Sequence, residues 1–329
     1  MPAFDYGDFD YICRKIPSYP ICNLFYRQLL NHPHNIAAPA FQILALPDPA
    51  VNRTGFDRAV GDAGVGIRPE CAIPRMGSAG GDPNSNGNVA NIVLCAVSTI
   101  VALGLAVLAG RRMAAVARLE ILLLFVIYAL TCIFQLVDTG AFLRQGSTAL
   151  VWVSGIHQGL VVGFFWSLAW IAFLQFQVVE DGTLSSIVPY TLGLVVLTVG
   201  TSYIALDVGF TVTNFFQSKP AEDLTSAWLF TLLIVFPLVC VAFYFIVTAG
   251  VVVKVLREKK PLIILIITLA LFALSQGAYW ALSHTICTGT SAKVDGSFLA
   301  TLLETTAVVA LFAGWKSITE EAWVRLYFL

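Results

Sequence analysis

The chain has 329 residues, of which 58% are hydrophobic and only 12% charged, and its mean hydropathy is +0.81. A soluble domain carries roughly 25% charged residues and could not bury this much apolar surface in one core, so a water-soluble fold is excluded. The 19 Lys plus Arg nearly balance 20 Asp plus Glu, and with no long basic block, nucleic acid is excluded as a partner.

Residues 1–88 hold 10 of the 14 prolines and many Gly, Asn and Asp, with no apolar run long enough to cross a bilayer. They read as a tail, loosely ordered in places. Met1 to Asp10 is acidic and aromatic rather than a basic region leading an apolar core, which is not the pattern of a cleavable signal peptide. Insertion then falls to the first hydrophobic helix.

From Val89 onward, apolar stretches alternate with short polar punctuation, as required when every backbone N–H and C=O must be satisfied within its own helix. Seven transmembrane helices are predicted, over Val89–Ala109, Leu119–Val137, Ala149–Gln175, Ile187–Leu206, Ala227–Val253, Pro261–Leu282 and Ser297–Trp315. The fold class is an all-α polytopic membrane protein with a domain of residues 89–316, followed by a short end at 317–329. The third and fifth runs would span about 40 Å at 1.5 Å per residue, more than a bilayer core of about 30 Å, which implies tilt or projection. Pro237 predicts a kink in the fifth.

Taking connections on alternate sides, one face collects Arg111, Arg112, Arg118, Lys254, Arg257, Lys259, Lys260, Lys316 and Arg325, and the other only Arg144, Lys219 and Lys293. The positive-inside bias places the C-terminus in the cytosol and the tail in the lumen. Lys254 to Lys260 reads as an anchor against anionic membrane lipid. Asn52-Arg53-Thr54 is the sole glycosylation sequon, making Asn52 a candidate acceptor on the lumenal side. Cys95, Cys132 and Cys240 fall inside helices, whereas Cys13, Cys22, Cys71 and Cys287 share the lumenal side. Four thiols in an oxidising compartment allow two disulfides in three pairings, one of which would tie the tail to the last lumenal loop. A zinc site on His284 and Cys287 lacks the tight paired spacing that zinc ligands show.

The four lumenal cysteines lie in recognisable settings: Phe9-Asp10-Tyr11-Ile12-Cys13, Pro20-Ile21-Cys22-Asn23-Leu24, Gly66-Ile67-Arg68-Pro69-Glu70-Cys71 and Thr285-Ile286-Cys287. With Arg118-Leu119-Glu120, Leu136-Val137-Asp138-Thr139-Gly140, Glu180-Asp181-Gly182-Thr183, Lys293-Val294-Asp295-Gly296-Ser297-Phe298 and Ser317-Ile318-Thr319-Glu320-Glu321, the chain resembles the fungal chitin synthase export chaperones. Residues of about 25–64 and 76–87 look inserted relative to that family. The first stretch contains the sequon, so Asn52 draws no support from the likeness. The resemblance implies a protein of the endoplasmic reticulum that binds a chitin synthase and permits its exit toward the cell surface, with the plasma membrane, reached together with the client, as a second location. It implies neither catalysis nor a cofactor. Its physical task would be to cover the client's polar intramembrane groups with small and polar side chains.

Intramembrane ionisable groups are the natural candidates for function, because a charge at the bilayer centre costs about 2.5–3.5 kcal/mol on insertion scales. Glu304 sits in the middle of the seventh run and is expected to meet either the client or an internal partner such as His157 or Gln158. Glu120 and Asp138 lie at opposite rims of the second run, where solvation is inexpensive and structural roles are expected. Glu180 and Asp181 form either a solvated helix end or a docking point for basic residues of the client or of vesicle coat machinery. Gly155, Gly159 and Gly163 recur at four-residue spacing, which admits a neighbouring helix, either the chain's own or the client's. The aromatic groups Phe164-Phe165-Trp166 with Trp170, and Phe243-Tyr244-Phe245, are packing residues or the lining of a groove. An enzyme would need several His and carboxylates at one membrane face, and only His157 and His284 lie outside the tail. A seven-helix receptor or transporter is the stronger alternative, although neither broken helices nor repeated halves are evident.

Overall fold

The computed structural model describes residues 5–16, 18–31, 66–67, 70–71, 73–74, 87–112, 116–213 and 215–328, with side chains through Thr319. The sequon at Asn52 lies outside the described residues. Seven described helices are long and apolar enough to cross a membrane: Val89–Gly110, Arg118–Thr139, Thr148–Leu174, Leu184–Phe210, Ala227–Leu256, Lys259–Trp280 and Gly296–Thr319. The chain is a multi-pass membrane protein, and these are called the first to seventh spans. The first begins where the Asn88 side chain accepts from Asn91 N (3.4 Å), the third where Ser147 accepts from Leu150 N (3.3 Å). Each supplies one acceptor for the unpaired donors of a helix start.

Two boundaries differ from the sequence expectation for identifiable reasons. The fourth span has 27 residues, because its last turn is secured by buried Asp207, which accepts from Thr213 N (2.6 Å), Thr213 Oγ1 (2.8 Å) and Phe216 N (3.3 Å). An acid near a helix end normally reads as a stop toward water. Here it closes the following turn instead. The seventh helix continues beyond Trp315 as one element, Gly296–Phe328. In the fifth span the irregularity near Pro237 takes the form of a π-helical segment, Thr231–Val235, and Pro237 stands in the first turn of the α-helical segment Phe236–Gly250. The missing proline N–H is tolerated in a first turn.

The third span is the axis of the bundle, half of its most apolar window being buried against 22% for the sixth. It packs on the second, fourth and fifth spans, while the first, second and seventh form a group to which the sixth adheres through the seventh. Between the third and fourth spans the approach is close because the glycines leave room. A Cβ at Gly155 would sit 2.8 Å from Leu206 Cδ2, one at Gly163 would lie 2.5 Å from Thr198 Oγ1, and one at Gly159 would collide with Ser202 and the Thr198 carbonyl. With lipid as apolar as the helices, such close van der Waals packing is a main source of helix association.

The beginning of the tail is folded. Helices Asp10–Lys15 and Pro20–Asn31 form a cap joined by the Cys13–Cys22 disulfide, with Cα atoms 5.6 Å apart. Phe9, Ile12, Ile21, Leu24, Phe25 and Leu29 are almost wholly buried, and Pro20–Asn31 lies on the third and fourth spans. Phe25, Tyr26, Gln28 and Leu29, within the stretch that looks inserted, are buried in this cap. Among the three possible pairings, the second bond is Cys71–Cys287, which fastens the tail to a short helix, Ser283–Gly289, between the sixth and seventh spans. Glu70 adds ion-pair contacts to Lys15 (2.6 Å) and His284 (3.2 Å). Cys287 is thus consumed in a disulfide, and no group of three or more metal-binding side chains occurs among the described residues.

Candidate functional site: a capped intramembrane cavity

Polar side chains gather in the half of the bundle beneath the cap. Asp138, 3% exposed, receives Ser154 Oγ on Oδ1 (2.7 Å) and His157 Nδ1 on Oδ2 (2.7 Å). Asn23 of the cap donates to Ser154 Oγ (3.1 Å), and Gln145 donates to Asn23 Oδ1 (3.2 Å). One continuous network therefore runs from the cap to the third span. Asp138 is a buried structural centre and not a solvated rim residue. Its serine bonds to the carboxylate rather than to the imidazole, so the trio is not wired as a nucleophile, base and orienter.

A second network joins the first, second and seventh spans. Asn91 Nδ2 donates to Thr139 Oγ1 (2.6 Å), Gln135 Nε2 to Thr301 Oγ1 (2.8 Å), and Thr305 Oγ1 pairs with Ser98 Oγ (2.7 Å) and Tyr128 OH (3.0 Å). Glu304 finds its partner on the sixth span, contrary to the expectation of His157 or Gln158. Gln276 Nε2 donates to Glu304 Oε1 (3.1 Å), and Gln276 Oε1 accepts from Trp280 Nε1 (3.2 Å).

These groups surround a cavity of 350 Å³ between the second, third, fifth, sixth and seventh spans. His157, Gln158, Gln276 and Glu304 line the part nearer the cap, and Phe164, Phe165, Phe245 and Leu311 the deeper part. Tyr19 and Pro20 of the cap line its end, with the Tyr19 ring 5.6 Å from that of Tyr279 and 5.7 Å from that of Trp280. Of the expected aromatic groups, Phe164, Phe165 and Phe245 reach the cavity. Trp166 instead turns to the fourth span, where Nε1 donates to the Tyr190 carbonyl (3.1 Å). The fifth span packs on the third and the sixth on the seventh, and the fifth and sixth meet sparsely. Both line the cavity along this sparse contact.

At the opposite end, Asp181 Oδ2 accepts from Ala117 N (2.6 Å), while Glu120 Oε1 accepts from Ser186 Oγ (2.7 Å) and Gly182 N (3.3 Å). Glu120 is fully buried, so the expectation of a solvated rim is corrected here too. The Glu180-Asp181-Gly182-Thr183 turn latches the fourth span to the second, with Gly182 in the left-handed region at φ +70°, and leaves Glu180 exposed. The glycine face of the third span is likewise filled by the fourth, which realises the intramolecular alternative and leaves that face no room for another chain's helix.

Next to the cap, buried Asp295 accepts from Ser18 and from Ser297 Oγ, and from Ser297 N at 3.2 Å. Burial pushes its carboxyl above the usual carboxylate range, while the bonds from Ser18 and Ser297 pull the other way. On the surface, the hydrogen bond from Lys15 holds Glu70 below that range. Sequence reasoning passed over the roles of Asn23, Asp207 and Gln276. Their chemistry was visible, but only the fold brings their partners to them.

The family model for the chitin synthase export chaperone matches residues 5–325, from the cap to the end of the last helix. The chain belongs to that family. Among proteins named chitin synthase export chaperone, one from Cryptococcus neoformans var. neoformans is 31% identical over 208 residues, covering 63% of this chain and 56% of the relative. One from Aspergillus oryzae is 25% identical over 317 residues (96% and 83%), and one from Kluyveromyces lactis 24% over 322 residues (96% and 92%). No solved structure matches the chain. As a family member, the chain combines a disulfide-fastened cap, a seven-span bundle and a polar intramembrane interior.

Proposed function

We propose that this member of the chitin synthase export chaperone family resides in the endoplasmic reticulum with its cap in the lumen and its C-terminus in the cytosol, and that it binds a chitin synthase to permit export. The match of the family over residues 5–325 carries this reading. The orientation is supported by the nine basic residues on one side and by two disulfides at the other end, because such bonds persist in an oxidising compartment. The function is binding rather than catalysis. A long polytopic client exposes helices whose polar groups remain unsatisfied until partner helices cover them.

The surface best suited to this contact is on the sixth span. Ala270, Ala273 and Gly277 are exposed along one stripe, and a Cβ at Gly277 would meet nothing within 4 Å. Small residues on an otherwise unoccupied face let a second helix come close. The test is co-purification of chitin synthase from mild detergent with wild-type chain and with Gly277→Leu. Client recovery should drop for the variant while its yield and melting stay as wild type. Undiminished recovery would remove the sixth span as the contact, and failure of wild-type chain to recover any chitin synthase would remove the binding function.

A further inference from the structure

We propose that the capped cavity is a binding site for a neutral lipid with a hydroxyl head, entering between the fifth and sixth spans. Its 350 Å³ falls within the range of about 300–1,000 Å³ typical of ligand pockets. The decisive observation is Gln158. It is 4% exposed, lines the cavity, and its side-chain amide makes no hydrogen bond among the described residues. An amide without a protein partner suits a ligand that both donates and accepts. His157 adds to it, since Asp138 engages Nδ1 and leaves Nε2 for the cavity.

The surrounding chemistry selects the head group. No Lys or Arg lines the cavity among the described residues, and Glu304 contributes a carboxyl. A phosphate would find no cation to balance it, in a setting where isolated charge is expensive. A hydroxyl satisfies Gln158 as donor and acceptor and can donate to His157 Nε2. The deeper wall, with Phe164, Phe165, Phe272 and Leu311, suits the hydrocarbon part. Tyr19 and Pro20 line the cap end of the cavity, whereas the fifth and sixth spans meet only sparsely beside it. Next to that seam, Leu233 and Ile234 line the cavity from the π-helical segment Thr231–Val235, a helix irregularity frequent at functional sites.

The site is independent of client binding, and it can be tested on the full chain reconstituted in nanodiscs without a chitin synthase. Two photoreactive probes, a sterol and a diacylglycerol, share the hydroxyl and separate the sources of that chemistry. At least one should label peptides of the fifth or sixth span, and be competed by its unlabelled parent about tenfold better than by the methyl ether lacking the donor, as expected for loss of one well-made hydrogen bond. Gln158→Leu should lower labelling similarly. Ala307→Trp, which fills the space at a lining residue, should abolish it. In both variants, protection of the buried free thiols Cys95, Cys132 and Cys240 from alkylation reports whether the fold is intact. If a variant loses that protection, hydroxyl-versus-ether competition on wild-type chain decides alone. Equal competition by the methyl ether or by phosphatidic acid would overturn the proposal, as would undiminished labelling in folded Ala307→Trp.

Discussion

Asp295 shows how one carboxyl can join separate parts of the chain. It lies at the start of the seventh span, fully buried, and takes hydrogen bonds from Ser18 of the cap and from Ser297. Because burial raises its pKa in the folded state, folding favours the neutral acid. The sign follows from linkage: stability is greatest below the unfolded value of about 3.9 and declines as pH rises through the folded value. Asp295→Asn keeps an acceptor and never ionises. The melting temperature of Asp295→Asn relative to wild type should therefore increase from pH 4 to pH 7. A difference that shrinks over that interval would mean that the carboxylate is the favoured form. Glu70 has the opposite sign, its depressed pKa giving a contribution present above the unfolded value and lost as pH falls.

At the scale of the helix, identical glycines have different consequences according to what stands opposite. Gly159 faces the Thr198 backbone and Ser202, whereas Gly277 faces open space. Overpacking typically costs about 1–3 kcal/mol where neighbours can move, and a backbone carbonyl on a packed helix has little freedom to do so. Gly159→Leu should reduce folded yield and melting temperature sharply, while Gly277→Leu should leave both near wild type. Size-exclusion profiles and thermal melts in one detergent would check it, and comparable behaviour of the two variants would contradict the packing described here. The seven spans were legible because apolar runs of bilayer length have few other uses. So was the gathering of the four cysteines at one end of the bundle, whose pairing depended on the path of the tail. The glycine spacing on the third span was legible too, but its partner was not, since a small-residue stripe carries no mark of whose helix fills it. Asp138 and Glu120 misled for a related reason: position in a run estimates depth, whereas burial depends on the cap and on the turn at Gly182. The folded cap itself was obscured by the proline-rich composition of the tail as a whole.

Taken as a molecule, the chain places a disulfide-fastened cap over one end of a bundle whose interior carries hydrogen-bonded polar networks. Two staples and the Asn23–Ser154–Asp138–His157 network hold the cap, the third span and the cavity together. Rigidity of this kind suits a protein that presents a fixed face to a larger membrane partner, because less ordering entropy is lost on binding. Membership in the chitin synthase export chaperone family supports export of a client. The most direct test follows chitin synthase in a fungal strain lacking this chain, by fractionating endoplasmic reticulum from plasma membrane. The account predicts that the synthase is still made but is retained in the endoplasmic reticulum as higher-order aggregates, with surface delivery restored by the full chain. Normal surface delivery of every chitin synthase in the deletion strain would contradict it.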